Sequence, residues 1–158
     1  MRAVFLAVAA LLCGAVNAEA PKESYRIFFA PAFGISYPLI FSAGAGAFVP
    51  IGKEDPDDAY PRTPGLRADV EVGLGGGAIA AGIYVPRETL ALSLKAASLR
   101  TWLIPWNQPE DRTYDGLIVE LAMFGHMPAK IGLGRFRERA RGDAERDELT
   151  YLFLGVGF

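Results

Sequence analysis

Tyr151-Leu152-Phe153-Leu154-Gly155-Val156-Gly157-Phe158 decides how the rest of the chain is read. Leu152, Leu154, Val156 and Phe158 fall at alternate positions, and nothing in the stretch is charged. Successive side chains of a strand point to opposite faces, so this segment presents one continuous apolar face that ends on an aromatic ring. Tyr151 and Phe153 make the opposite face apolar as well, and this strand alone does not assign which face points inward. A strand of this kind with a free edge templates aggregation, whereas closing the sheet on itself pairs the last strand with the first.

The same period of two recurs upstream. It separates Ala68, Val70, Val72 and Leu74 from Arg67, Asp69, Glu71 and Gly73. It also separates Leu90, Leu92, Leu94 and Ala96 from Ala91, Ser93, Lys95 and Ala97, and Leu117, Val119, Leu121 and Met123 from Gly116, Ile118, Glu120 and Ala122. No long stretch beyond the N-terminal segment places apolar residues at helical spacing, so the chain reads as all-β. Candidate strands run over 25–33, 39–51, 66–74, 78–85, 90–104, 114–125, 129–139 and 148–158. Between them lie turn-forming residues: Gly75-Gly76-Gly77, Pro86 to Thr89, Pro105 to Thr113 and Met127-Pro128. Lys53 to Gly65 is the longest connection, acidic and rich in proline. Of the 18 glycines, many fall inside strand-like runs, where they permit the bends and close approaches of a small barrel. The expectation is an antiparallel up-and-down β-barrel of eight strands.

A soluble barrel buries its apolar face and a membrane barrel turns it toward lipid, and periodicity alone does not choose between them. The other face carries one to three charges per strand, set among Gly, Ala and Ser. Asp69, Glu71, Lys95, Glu120 and Lys130 are therefore expected to pair in a narrow lumen, since an unpaired buried ion costs several kcal/mol. Sparse solvent-facing charges on a soluble barrel remain the alternative.

The N-terminus adds a second constraint. Met1-Arg2, an uncharged run from Ala3 to Val16, and Val16-Asn17-Ala18 have the layout of a signal peptide over residues 1–18, with residues 19–158 as the barrel domain. The apolar run falls short of the roughly 20 residues a spanning helix needs. Cys13, the one cysteine, lies inside that segment, so the barrel domain has no disulfide and no thiolate metal site. Leu11-Leu12-Cys13-Gly14 is similar to a lipoprotein cleavage box, except that Leu12 stands where a small residue is required. The net charge of −2 gives no reason to expect nucleic acid.

Together, the closing strand with its terminal aromatic, the leader-like N-terminus and the cysteine-free remainder resemble the small eight-stranded bacterial outer-membrane barrels of the OmpA/OmpX type. The resemblance covers residues 19–158 in pattern and implies a transmembrane barrel in the outer membrane. It also implies that Leu152, Leu154, Val156 and Phe158 form the signal read by the barrel assembly machinery. Both termini would then lie in the periplasm. Glu138 to Asp147 and Pro105 to Thr113 would be external, and Met127-Pro128, Pro86 to Thr89 and the long Lys53 to Gly65 loop periplasmic. Trp102, Trp106 and Tyr114 would contribute to an aromatic girdle at the membrane interface.

Few residues suggest chemistry. Arg135, Arg137, Arg139 and Arg141 alternate along the face of Ile131 and Leu133. A hairpin turning about Gly142 would set Arg141 opposite Asp143, Arg139 opposite Glu145 and Arg137 opposite Asp147. Such pairs would make an ordinary solvated hairpin, while Arg135 and Arg137 at headgroup level would bind the phosphates of outer-membrane lipids, including lipopolysaccharide. His126 is the only histidine, and Glu120 lies about 20 Å away along an extended strand. Lipid A deacylases of the outer membrane pair such a histidine with a serine two residues on, where this chain has Pro128. No spacing suggests a metal site or a cofactor. The expected function is therefore a non-enzymatic outer-membrane barrel serving envelope integrity or surface and lipid interaction. A soluble periplasmic lipocalin-like barrel holding a small lipid is the alternative, and a lipid A-modifying enzyme using His126 the third reading.

Overall fold

The computed structural model describes residues 27–52, 61–124, 128–139 and 147–157. Eight strands follow one another: β1 (Phe28–Tyr37), β2 (Ile40–Pro50), β3 (Gly65–Gly73), β4 (Gly76–Arg87), β5 (Leu90–Thr101), β6 (Thr113–Met123), β7 (Ala129–Glu138) and β8 (Glu148–Gly157). Each pairs antiparallel with the next, and β1 pairs with β8, so the sheet is a closed barrel without an edge. The all-β, up-and-down architecture read from the alternation is the one observed.

Closure settles the face of every strand. Large apolar side chains point outward all round the barrel: Phe29, Phe33 and Ile35 on β1, Val70 and Val72 on β3, Leu92 and Leu94 on β5, Leu117 and Val119 on β6, Ile131 and Leu133 on β7, and Leu152 and Leu154 on β8. Tyr151 and Phe153 face the interior and are buried, which resolves the ambiguity of the last strand. The register does this. Leu133 lies opposite Leu152 and Ile131 opposite Leu154, and a slip of one residue would exchange the faces of β8.

The first strand starts later than expected and runs on to Tyr37. Ala32, Gly34 and Ser36 point inward, and the small side chains of that face hide the alternation. β5 ends at Thr101, short of the expected Ile104. There the Trp102 N–H leaves the ladder and donates to the Gly75 carbonyl at 3.1 Å, and Leu103 takes a left-handed φ of 51°.

The interior has three layers. An aromatic cluster of Phe48 and Tyr84, with Ala91, Ala122, Phe28 and Phe124, fills the end that carries the β2–β3, β4–β5 and β6–β7 connections. Leu39, Leu99, Tyr114, Phe136 and Leu149 form part of the cluster that fills the opposite end, toward the β5–β6 and β7–β8 connections. Charged residues occupy the section between. With eight strands observed, the long β2–β3 connection does lie at the same end as the start of β1 and the end of β8.

The barrel is narrow because several inward positions have no side chain. Gly34 and Gly155 are register partners across the β1–β8 closure. A Cβ on Gly34 would lie 2.8 Å from the Gly155 Cα and 2.9 Å from the Phe153 ring.

Candidate functional site

The middle of the barrel gathers the charges expected in the lumen and adds one more. β3 contributes Arg67, Asp69 and Glu71 from its inward face, β5 Lys95, β6 Glu120 and β7 Lys130. Lys95 Nζ is 2.9 Å from Asp69 Oδ2 and 2.8 Å from Glu120 Oε2. Lys130 Nζ lies 2.9 Å from the same Glu120 oxygen, and Arg67 Nε donates to Asp69 Oδ1 at 2.9 Å. Two cations also rest on rings: the Arg67 guanidinium is 5.2 Å from the Tyr84 ring centre, and Lys130 Nζ is 5.1 Å from that of Phe153. Three cations and three carboxylates balance, as a section shielded from water requires.

Glu71 enters this section by a different bond type from the one expected. Its partners are hydroxyls rather than ammonium groups. Ser36 Oγ donates to Glu71 Oε1 at 2.7 Å, and the Tyr151 hydroxyl donates to Glu71 Oε2. Ser36 has a single proton, so the 3.0 Å contact with Ser42 Oγ makes Ser42 the donor and Ser36 the acceptor. Two hydroxyls, one of them backed by Ser42, thereby satisfy one carboxylate.

Sequence reasoning missed Arg67, Ser36, Ser42 and Tyr151. Arg67 was visible in principle, because alternation puts it on the face of Asp69 and Glu71. The serines and the tyrosine gave no signal, since their partner lies on another strand.

The free space left is small. A cavity of about 30 Å³ is bordered by Asp69, Glu71, Lys95, Glu120, Lys130 and Tyr151. Ligand pockets run to roughly 300 Å³ or more, so this cavity is too small to hold a lipid. Among the described residues no group of His, Cys, Asp and Glu has the geometry of a metal site. His126 lies outside the described residues.

The second candidate region is the rim formed by β6, β7 and β8. Arg135 and Arg137 point outward and are exposed, on the face of Ile131 and Leu133. Both guanidiniums bond to one carboxylate: Arg135 to Glu148 Oε2, and Arg137 Nε to Glu148 Oε1 at 3.2 Å. Glu148 lies beyond the apolar stretch of β8. Hydrogen bonding from Arg135, reinforced by its charge and then by Arg137, holds its carboxyl below the usual range.

The expected hairpin register is corrected by one residue. Arg137 stands opposite Glu148 rather than Asp147. Arg139 pairs with Asp115 on β6, its Nε 2.9 Å from Asp115 Oδ2, rather than with Glu145. The cause is the face rule: pairing Arg137 with Asp147 would have turned Leu152 and Leu154 into the lumen. Residues 140–146, with the expected Arg141–Asp143 pair, lie outside the described residues.

Tyr114 is also corrected. It is fully buried on the inward face of β6 and takes no part in an outer aromatic girdle. Trp102 is half-buried, and Trp106 is exposed. On β8, Leu152, Leu154 and Val156 are outward and exposed, and Phe158 lies outside the described residues. No family model, curated protein or solved structure matches the chain.

Proposed function

We propose that this chain is a transmembrane barrel of the bacterial outer membrane, delivered there by a leader over residues 1–18 and acting without chemistry of its own in envelope integrity and lipid contact. The observation that carries the reading is the inversion of the barrel: large apolar side chains cover its outside while ion pairs and hydroxyls occupy its centre. In water such a surface is an aggregation liability. In lipid it is the face a strand must present, and closure leaves no strand edge open there.

The packed ends argue against a general pore, because an eight-stranded barrel is just wide enough for side chains to fill it. The role is then a surface role. Arg135 and Arg137 share one carboxylate, which leaves this trio of side chains with a surplus of one positive charge. That surplus suits the phosphates of outer-membrane lipids, lipopolysaccharide among them. Leu152, Leu154, Val156 and Phe158 would serve the assembly machinery during insertion.

Membrane fractionation of the expressed full-length chain tests this reading, with heated and unheated samples compared by electrophoresis. Recovery in the outer membrane as a band whose mobility changes on heating is expected. Release as a soluble periplasmic protein would overturn it.

A further inference from the structure

The connection between β5 and β6 holds an apolar tip that the barrel itself does not use. Leu103 and Ile104 are each 69% exposed, and Trp106 is 57% exposed. Large apolar groups on a mobile loop would mean little, but this segment is tied down. The Trp102 N–H donates to the Gly75 carbonyl, and the Trp106 N–H to the Pro38 carbonyl at 3.0 Å. Thr101 Oγ1 donates to the Pro109 carbonyl at 2.8 Å and accepts from the Arg112 N–H at 3.1 Å. Gln108 donates to the Tyr37 hydroxyl at 2.9 Å, and the Tyr37 and Trp106 rings meet edge to face. The close approach of this backbone also leaves no space for a side chain at Gly75, where a Cβ would lie 2.8 Å from the Pro105 Cα.

Within this frame Leu103 adopts a left-handed φ of 51°, a conformation that costs a non-glycine residue energy and calls for a reason. The segment also continues an apolar surface. It lies over the β1–β2 and β3–β4 turns, whose neighbouring strands expose Ile35, Phe41, Val72 and Leu74. On the other side of the barrel, the same end exposes Arg100, Asp115, Arg135, Arg137 and Glu148. The rim is thus apolar over β1–β4 and charged over β5–β8.

We propose that Leu103, Ile104 and Trp106 form a fixed wedge that enters the boundary between lipid headgroups and acyl chains above the β1–β4 rim. The occupant of this surface is the bilayer. The proposal rests on the membrane reading above and extends it to a segment outside the strands. Continuity with the outward apolar band selects lipid. The tryptophan suits that depth, since its ring is apolar and its N–H prefers a wet neighbour. The wedge would fix the barrel's depth and rotation on that side, while the arginine rim meets the phosphates on the other.

Trp102→Phe leaves Trp106 as the sole tryptophan of the two in the chain. The full chain with this change is refolded into phosphatidylcholine vesicles with bromine placed either high on the acyl chains or near the bilayer centre. Trp106 emission is expected to lose most of its intensity with high bromine and little with deep bromine, and to be shielded from aqueous iodide. A heat-modifiable, vesicle-inserted barrel whose Trp106 ignores bromine and is open to iodide would overturn the wedge and leave the membrane reading standing. Failure of the wild-type chain to insert at all would overturn both. If Trp102→Phe does not fold, the difference in emission between wild type and Trp106→Phe supplies the same readout. Leu103→Gln with Ile104→Gln is expected to abolish the bromine quenching while keeping the heat-modifiable band. Quenching unchanged in that variant would also overturn the proposal.

Discussion

Lys95 Nζ lies 2.8 Å from Glu120 Oε2, with side chains only 2% and 5% exposed, at the centre of a barrel whose outside is apolar. An ion pair this far from solvent exists because each charge holds the other there. Breaking such a pair from one side leaves an uncompensated charge, at about 3 to 5 kcal/mol. Lys95→Met is therefore expected to destabilise the barrel by that order, read by denaturant unfolding in detergent or vesicles. Asp69 keeps Arg67 as a partner and Glu120 keeps Lys130, so the lower end of the range applies. Lys95→Met combined with Glu120→Gln should show a coupling of about 0.5 to 3 kcal/mol in a double-mutant cycle. Strict additivity would mean that the two side chains do not interact.

Tyr151→Phe isolates one hydrogen bond without changing the packing of the ring. The Tyr151 hydroxyl donates to Glu71, whose other oxygen is held by Ser36. Hydrogen bonds to charged groups contribute about 1.5 to 3 kcal/mol. A loss of that order is expected in the unfolding free energy, with the heat-modifiable band retained. No loss would mean that water replaces the hydroxyl, and that the Glu71 cluster is not sealed.

These two clusters differ in how far the sequence announced them. The charges of the first are rare on an otherwise small-residue face, so alternation alone marks Asp69, Lys95 and Glu120 as lumenal. Glu71 carries the same mark, but its partner Ser36 lies beyond the end of the expected first strand, and Tyr151 belongs to the strand whose inward face the sequence left open. Eight strands were legible because the outward positions are apolar along most of each strand, which keeps the period of two visible everywhere but at β1. Register was not legible at the β7–β8 hairpin. Counting back from a turn glycine misplaces Arg137 by one residue, because the pairing is fixed by which side chains face outward or into the lumen and not by the turn. Trp102 to Ile104 read as strand by composition, and the bond from the Trp102 N–H to the Gly75 carbonyl, followed by the left-handed φ of Leu103, takes them out of β5.

Gly155→Ala is expected to disturb closure of the barrel. The added Cβ would stand 2.7 Å from the Phe153 ring and 2.8 Å from the Gly34 Cα across the β1–β8 seam. The ring can rotate, but the facing backbone cannot. Overpacking of this kind costs about 1 to 3 kcal/mol. The expected readout is slower formation of the heat-modifiable band during refolding, since pairing of the first strand with the last completes the barrel. Gly132→Ala serves as the comparison, because its Cβ would meet nothing nearer than 3.6 Å. Equal refolding of the two variants would mean that the seam is not where glycine is required.

The shared carboxylate at the rim gives the lipid-phosphate reading a pH dependence. Glu148 titrates below the ordinary carboxylate range because Arg135, then Arg137, favours its charged form. A folded-state value lowered in this way contributes stability that is present above the unfolded value and lost as the pH falls through the folded one. Above that window both guanidiniums are engaged by Glu148, and below it both are released to other anions. Glu148→Gln should reproduce the released state at neutral pH, raising retention of phosphate-bearing lipid on the purified barrel and weakening its dependence on acidification. Arg135→Gln with Arg137→Gln should reduce retention at all pH values. The unfolding midpoint should hardly move in either variant, since these side chains stand in solvent and exposed pairs add little. Lipid retention unaffected by either change, measured by co-purification after detergent extraction, would remove the rim from any role in lipid contact.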